Sequence, residues 1–595
     1  MTSSRPDPAR PTIASDAAPR PDRARALLAT ASVAVALAAA DTYVVVLALT
    51  DMMSGVGVGV DSLQKATPII SGFLLGYVAV LPLIGRLTDL VPRQRVLLIC
   101  LGVFVLGSAI TALAADLPTL VTGRVIQGVG GGGLVPATLA LVADLWPADR
   151  RGTPLGVVGA VQELGSVLGP VLGAAILAIA DWRAIFWVNA VLGVLLWLLI
   201  RLAGGRPATR DGSAEVSRGQ DGPAGAGGIQ RVVGSRRAAA AAGALGLVCG
   251  ALALAAPARL VDSVALGAPF IPFGDHTNRV LTPIGLVAVV LLLLAVAVTA
   301  SQWWAVLRRA DLLGAVLLGS ALGLVILTFA SANPEKEIVG PVGFALLPLA
   351  VVAAGLYLWR HHTADDPLVP RGVVQGRSRV ALLVSVFVGV ALVAIVVDVP
   401  LLARLGVNHD ETAAAFVLVR FLLAVPVGAL AGGWLLRRSG DGLVAGGGLA
   451  VTALGLASMA RWDQTSLTRW PATVVLVAVG LGIGLALAPV NNAALADAPA
   501  DAHGTASALV VVARTIGMVV GLAFLTAIGL HKYYEAVAAL ANPADTAALV
   551  EAAVQQVRWV FGGAAVAAGL GAVSCLGLGL RRQTGTYAAK RTFGL

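Results

Sequence analysis

The chain has 595 residues, of which 58% are apolar and 12% charged, with a formal charge of +10. Soluble domains carry about 25% charged residues, so this chain lacks the polar surface to cover several water-exposed domains, whereas a lipid-facing exterior can be as apolar as the interior. Three cysteines (Cys100, Cys249 and Cys575), each inside an apolar run, argue against a disulfide framework or a metal site.

Crossing a bilayer takes about 20 apolar residues. A basic, proline-rich tail over 1–26 leads into the first run, 27–50. Ala36 to Ala40 offer the small residues of a secretory cleavage site, but the run resumes beyond Asp41 and reads as a membrane helix. There follow 66–85, 96–115, 117–143, 153–180 and 184–200; then 238–256, 280–307, 312–331 and 338–359; and finally 380–403, 412–436, 443–460, 471–495, 505–530 and 559–580. That makes sixteen, the weakest being the Ala/Gly-rich 238–256. With the N-terminus inside, one side receives 29 Lys and Arg and the other 10. The positive-inside rule then makes both termini cytoplasmic.

Two stretches match without gaps at a shift of 352 residues. Pro147-Ala148-Asp149-Arg150-Arg151-Gly152-Thr153 aligns with Pro499-Ala500-Asp501-Ala502-His503-Gly504-Thr505. Gly165 and Gly169 align with Gly517 and Gly521, and Gly128, Gly130 and Gly132 with Gly480, Gly482 and Gly484. The same shift puts Gly76, Arg86 and Asp89 on Gly428, Arg438 and Asp441. Each half then has six spans and enters from the same side, which makes them parallel repeats, an arrangement used by alternating-access carriers. The organisation expected is a tail (1–26), a six-helix bundle (27–203), an insertion with two further spans (204–310), an interposed helix pair (311–360), a second six-helix bundle (377–582) and a tail (583–595). The count is fourteen core spans, sixteen in total.

Six ionisable residues lie deep in apolar runs: Asp41, Arg124, Glu163, Asp398, Arg420 and Arg514. Each costs about 2.5–3.5 kcal/mol at a helix centre on insertion scales. Three of each sign can pair, which is the purely structural reading. The functional reading makes Asp41 and Glu163 proton-coupling carboxylates, and Glu163 with Arg514 a central charge pair across the halves. On a helix, Gly165, Gly169 and Gly173 form a stripe that lets a neighbour approach and turns Glu163 toward a cavity or the opposing half.

Several motifs resemble those of major facilitators. Gly85-Arg86-Leu87-Thr88-Asp89, with Arg93 and Arg95, is similar to the cytoplasmic loop motif after the second helix, with Pro92 where a glycine is usual. Arg124-Val125-Ile126-Gln127-Gly128 resembles the fourth-helix motif. Gly165, Gly169, Pro170 and Gly173 resemble the fifth-helix motif of drug:proton antiporters, and Asp41-Thr42 with the interposed pair resembles the fourteen-span branch. More narrowly, Asp41 to Val46, Gln162 to Pro170, Val397-Asp398-Val399 and His503 to Arg514 resemble actinobacterial triacylglyceride and drug exporters that work with an LprG-type lipoprotein. The resemblance omits 204–308. It implies an all-α major facilitator fold in a bacterial inner membrane, proton-coupled export of lipid or drugs, a periplasmic lipoprotein partner, no cofactor, and a latch role for Asp89, Arg93 and Arg95.

Other signals are weaker. Gly128 to Gly133 satisfies G-x-G-x-x-G, but no strand precedes it, so dinucleotide binding does not follow. His361-His362 with Asp365-Asp366 lacks tetrahedral ligand spacing and reads as a solvated loop. A membrane-embedded acyltransferase needs groups that the loop-bound histidines do not supply. A non-transporting sensor or scaffold using the insertion is the remaining alternative.

Overall fold

A computed structural model describes residues 21–58, 63–203, 225–261, 267–272, 279–330, 343–406, 411–540, 542 and 545–581. Of the expected tails, 1–20 and 583–595 lie outside these residues, as do 204–224 and the 332–337 loop; residues 21–26, read from the sequence as tail, instead open the first helix. Among them no strand occurs, as a bilayer demands: backbone groups in lipid must bond within the segment. The N-terminal half is built from α1 (Pro21–Gly55), α2 (Leu63–Leu90), α3 (Arg93–Leu113), α4 (Leu117–Leu145), α5 (Gly152–Leu177) and α6 (Trp182–Ala203). Between the halves come α7 (Gly225–Ala255), the one-turn α8 (Ala258–Val261), α9 (Pro283–Arg309), α10 (Leu312–Ala330) and α11 (Gly343–Thr363). The C-terminal half follows as α12 (Arg377–Gly406), α13 (Glu411–Leu435), α14 (Asp441–Met459), α15 (Trp470–Ala496), α16 (His503–Ala538) and α17 (Thr546–Ser574).

Every predicted run holds a helix among its described residues, and fourteen segments are individually long and apolar enough to cross a membrane. The exceptions are α10, which passes only together with the end of α9 across a 63° bend, and α11. Helices α7 and α9 pack on each other and barely touch the rest, so most of their side chains face outward. By contrast α10 lies along α2. One face of the bundle, the Asp89 face, carries the α2–α3, α4–α5 and α15–α16 turns.

Glycine contacts fix how the halves correspond, because a Cβ at these positions would run into a neighbouring backbone. Gly165 and Gly169 of α5 sit on Ala36 and Ala40 of α1; Gly517 and Gly521 of α16 sit on Val386 and Val390 of α12. Gly128 and Gly132 of α4 sit on Phe73 and Tyr77 of α2; Gly480 and Gly484 of α15 sit on Phe421 and Val425 of α13. The shift of 352 therefore holds for α4–α5 against α15–α16. It is 350 for α1 against α12, and 348 for α2 against α13. The sequence register that placed Gly76, Arg86 and Asp89 on Gly428, Arg438 and Asp441 is one helical turn out. The structure pairs Gly85 with Gly433 and Asp89 with Arg437.

Candidate functional site: a cavity between the halves

Helices α1, α2 and α5 meet α12 and α16 around a cavity of about 120 Å³. Glu163 faces it from α5, Tyr77 from α2 and Arg514 from α16, with Thr42, Gln162 and Ser166 as further polar lining. The glycine stripe acts as the sequence predicted: Gly165, Gly169 and Gly173 pack on α1, leaving Glu163 on the cavity side and only 8% exposed. Gln162 and Arg514, which correspond at the 352-residue shift, both line it. Glu163 and Arg514 share this cavity, yet among the described residues no ion pair within 4.0 Å joins them.

Asp41 sits one helix layer away, fully enclosed. It pairs with Arg124, while Gln127 Nε2 donates to it at 2.9 Å and Asn189 Nδ2 at 2.6 Å. Arg124 also donates to Gln127 Oε1 at 2.6 Å and to the Ile69 carbonyl at 3.3 Å, and its guanidinium lies 4.5 Å from the Phe73 ring centre. Gln127 reaches Ser108 Oγ at 2.9 Å. Each charge is thus paired and hydrogen-bonded, the condition under which a buried ion pair is tolerated. Gln127 was visible in the fourth-helix motif, but Asn189 and Ser108 escaped the sequence reading because single neutral polar residues are common in membrane helices. Their signal exists only once four helices converge.

The other two intramembrane charges do not meet. Asp398 is buried on α12 with no hydrogen bond or ion pair among the described residues, and Arg420 donates to Thr473 Oγ1 at 2.9 Å.

At the Asp89 face the halves lock together along two seams. On the first, Gly85 of α2 lies against Gly504 and Ala508 of α16. Asp89 accepts from Gly504 N at 2.6 Å, Thr505 N at 2.9 Å and Thr505 Oγ1 at 2.6 Å. Ala502 in the capping position has no side-chain oxygen to offer, so Asp89 caps α16 from the other half. On the second, Gly433 of α13 lies against Gly152 and Gly156 of α5, and Arg437 Nε donates to Thr153 Oγ1 at 3.0 Å. A further link joins Ser507 Oγ to the Pro136 carbonyl at 3.2 Å. The loop motif divides accordingly. Asp89 reaches across, Arg93 turns back within its own half to Asp144 and the Ala140 carbonyl, and Arg95 is exposed without a partner among the described residues.

The glycine run Gly128 to Gly133 packs α4 against the backbones of α2 and α3 and forms no loop. Among the described residues no cluster of His, Cys, Asp or Glu has metal-holding geometry.

A family model described as Major Facilitator Superfamily matches residues 31–335 and 312–522. A triacylglyceride transporter of Mycolicibacterium hassiacum is 36% identical over 84% of this chain and 78% of its own length. Another from Mycobacterium tuberculosis strain H37Rv is 32% identical over 90% of this chain and 89% of its own length. Among solved structures, the proton:xylose symporter XylE aligns with a TM-score of 0.52 at 13% identity, covering 92% of this chain and 95% of that one. The human organic anion transporter MFSD10 aligns with a TM-score of 0.52 at 14% identity, covering 94% of this chain and all of that one. At such identities these structures speak for the fold alone.

Proposed function

The chain belongs to the Major Facilitator Superfamily, and on that premise we propose that it exports a triacylglyceride-like lipid or other hydrophobic compound by proton-coupled alternating access. The relatives' printed substrate supports the cargo class. The mechanism rests chiefly on one observation: Glu163 and Arg514, from opposite halves, face one cavity between them while, among the described residues, the hydrogen bonds joining the halves gather at a single face.

In this reading the Asp89 face is cytoplasmic, both termini lie inside, and the protein sits in a bacterial inner membrane, closed to the cytoplasm. Glu163 attracts Arg514 when ionised and releases it when protonated, so proton loading sets how closely the halves approach. Asp41 is the second titratable carboxylate. Protonating it frees Arg124, whose other partners, Gln127 and the Ile69 carbonyl, are neutral. Cargo leaves toward the opposite face, where an LprG-type lipoprotein receives it. The division expected from sequence stands here as a proposal: two six-helix bundles do the transport, and 204–310 and 311–360 are accessory.

Reconstitution in proteoliposomes with fluorescent triacylglyceride tests this. Glu163→Gln and Asp41→Asn each keep size and much of the hydrogen bonding, and each should abolish gradient-driven movement at normal membrane levels. Full gradient dependence in both variants would show that protons travel elsewhere.

A further inference from the structure

Between α2 and the pair α10–α11 runs a lateral groove of about 730 Å³. Leu75, Ala79 and Leu83 of α2 and Leu349 and Ala353 of α11 form its walls with α10, and Ser320 brings the one hydroxyl. Along α10 it extends from Leu312 to Leu327, about 22 Å at 1.5 Å per residue, against a leaflet depth of ~15 Å. Gly319 lies against the Ala79 carbonyl and Gly323 against Leu75, so α2 and α10 run antiparallel. One turn beyond Leu83, Arg86 therefore stands beside the start of α10, at the Asp89 face.

The rim there is basic. Of the acids there, Asp311 sits in the left-handed backbone region (φ 51°) between α9 and α10. Its carboxylate is fully engaged: it accepts from Arg360 Nε at 3.0 Å, Gly314 N at 3.2 Å and Leu368 N at 3.2 Å. Asp89 is committed to α16. Arg86 has its Nε shut from solvent without a hydrogen-bond partner, and Arg308 and Arg309, just before Asp311, are exposed. Arg86 makes no hydrogen bond or ion pair among the described residues, so its side chain is uncommitted and can turn its planar fork of donors to a phosphate.

We propose that this groove is a binding site for an anionic phospholipid of the leaflet at the Asp89 face. One acyl chain lies between α2 and α10, and the phosphate is held by Arg86 and Arg308. The lipid joins the interposed pair to the N-terminal bundle where direct helix contact is incomplete. A neutral glyceride would fill the trough and leave the rim unanswered; ordinary annular lipid would not depend on either.

The full chain is purified, stripped of lipid with detergent, and offered phosphatidylglycerol, phosphatidylcholine, trioleoylglycerol or inorganic phosphate. Native mass spectrometry and thermal unfolding read the result. Phosphatidylglycerol should be retained as one molecule per chain and raise the unfolding midpoint, and the other three should not. Arg86→Gln with Arg308→Gln should cut retention at least fivefold. So should Ala353→Trp, which fills the groove and leaves the rim charge intact. Retention of phosphatidylcholine or trioleoylglycerol to the same extent, the same midpoint rise with inorganic phosphate, or undiminished retention in the arginine variant, would overturn the proposal. Binding rather than transport is measured, so the outcome does not depend on the proposed function.

Discussion

Beside Phe73 the N-terminal half buries Asp41, Arg124, Gln127 and Ser108 in one hydrogen-bonded knot. In the registers set by the glycine contacts, the C-terminal half places Phe421 at the same point and surrounds it with Ala391, Leu476 and Val479, all buried. The scaffold is thus stable with apolar groups there, as in most packed interiors. Charges retained in one half only, in a low-dielectric environment that penalises them, are better explained by a task than by packing. The most severe test is to make one half imitate the other. Arg124→Leu alone strands the Asp41 carboxylate and should destabilise the protein by about 3–5 kcal/mol, read as a lower unfolding midpoint in detergent. Adding Asp41→Ala copies the C-terminal arrangement at two of its three positions, Gln127 remaining where that half has Val479, and should recover most of that loss. A double variant no better than the single one would mean that the knot, not the stranded charge, carries the stability.

The two seams repeat the comparison at the surface. Gly85 and Gly433 do the same job of bringing helices close, but Asp89 meets a helix N-terminus where Arg437 meets its counterpart. A helix start carries unpaired N–H donors and partial positive charge. A carboxylate answers both; a guanidinium has no acceptor and donates only to the Thr153 hydroxyl. The α2–α16 seam should therefore be the latch and the α13–α5 seam a weaker guide. Asp89→Ala removes three bonds, two to backbone N–H groups, and should shift the closed–open balance by about 2 kcal/mol, or about thirtyfold. A cysteine at Thr515, in a background lacking Cys100, Cys249 and Cys575, would report it through labelling by an impermeant maleimide from the Asp89 face. Unchanged labelling would mean that the seam closes without Asp89.

How much of this was readable in the sequence depends on how far apart the cooperating residues lie. The helical runs and the glycine stripe on α5 follow from periodicity and spacing within single segments, and the repeat from matching one segment to another. The structure keeps these, though only fourteen of the sixteen predicted spans are individually long and apolar enough to cross a membrane. Glu163 and Arg514 could be placed on facing helices because the α5–α16 register is preserved. The α2–α13 register failed by four residues because a slip of one turn keeps every side chain on nearly the same helix face, and glycine is abundant enough to match at either position. For the same reason Arg437 went unnoticed, and Asp441 was matched to Asp89 although it pairs with Arg377 inside its own half. Asn189 matters only as a donor to Asp41 and Ser108 only as an acceptor from Gln127, which no local pattern announces.

The smallest and most discriminating change is Arg437→Asp. Helix α5 starts at Gly152 after Arg151, which offers no side-chain cap, so its first N–H groups are available as those of α16 are. A carboxylate at 437 faces Gly152 and Thr153 across the same close glycine contact that brings Asp89 to Gly504 and Thr505. Pro154 lacks an N–H, so fewer donors are present than on α16. The gain should be about 1 kcal/mol, the size of a helix-terminus charge effect, and roughly a fivefold drop in labelling of Thr515→Cys from the Asp89 face. It should also offset part of the Asp89→Ala defect when the two are combined, since both seams close the same face. Increased labelling would mean that Arg437 holds its seam by its own charge, and that the two seams are not versions of one device.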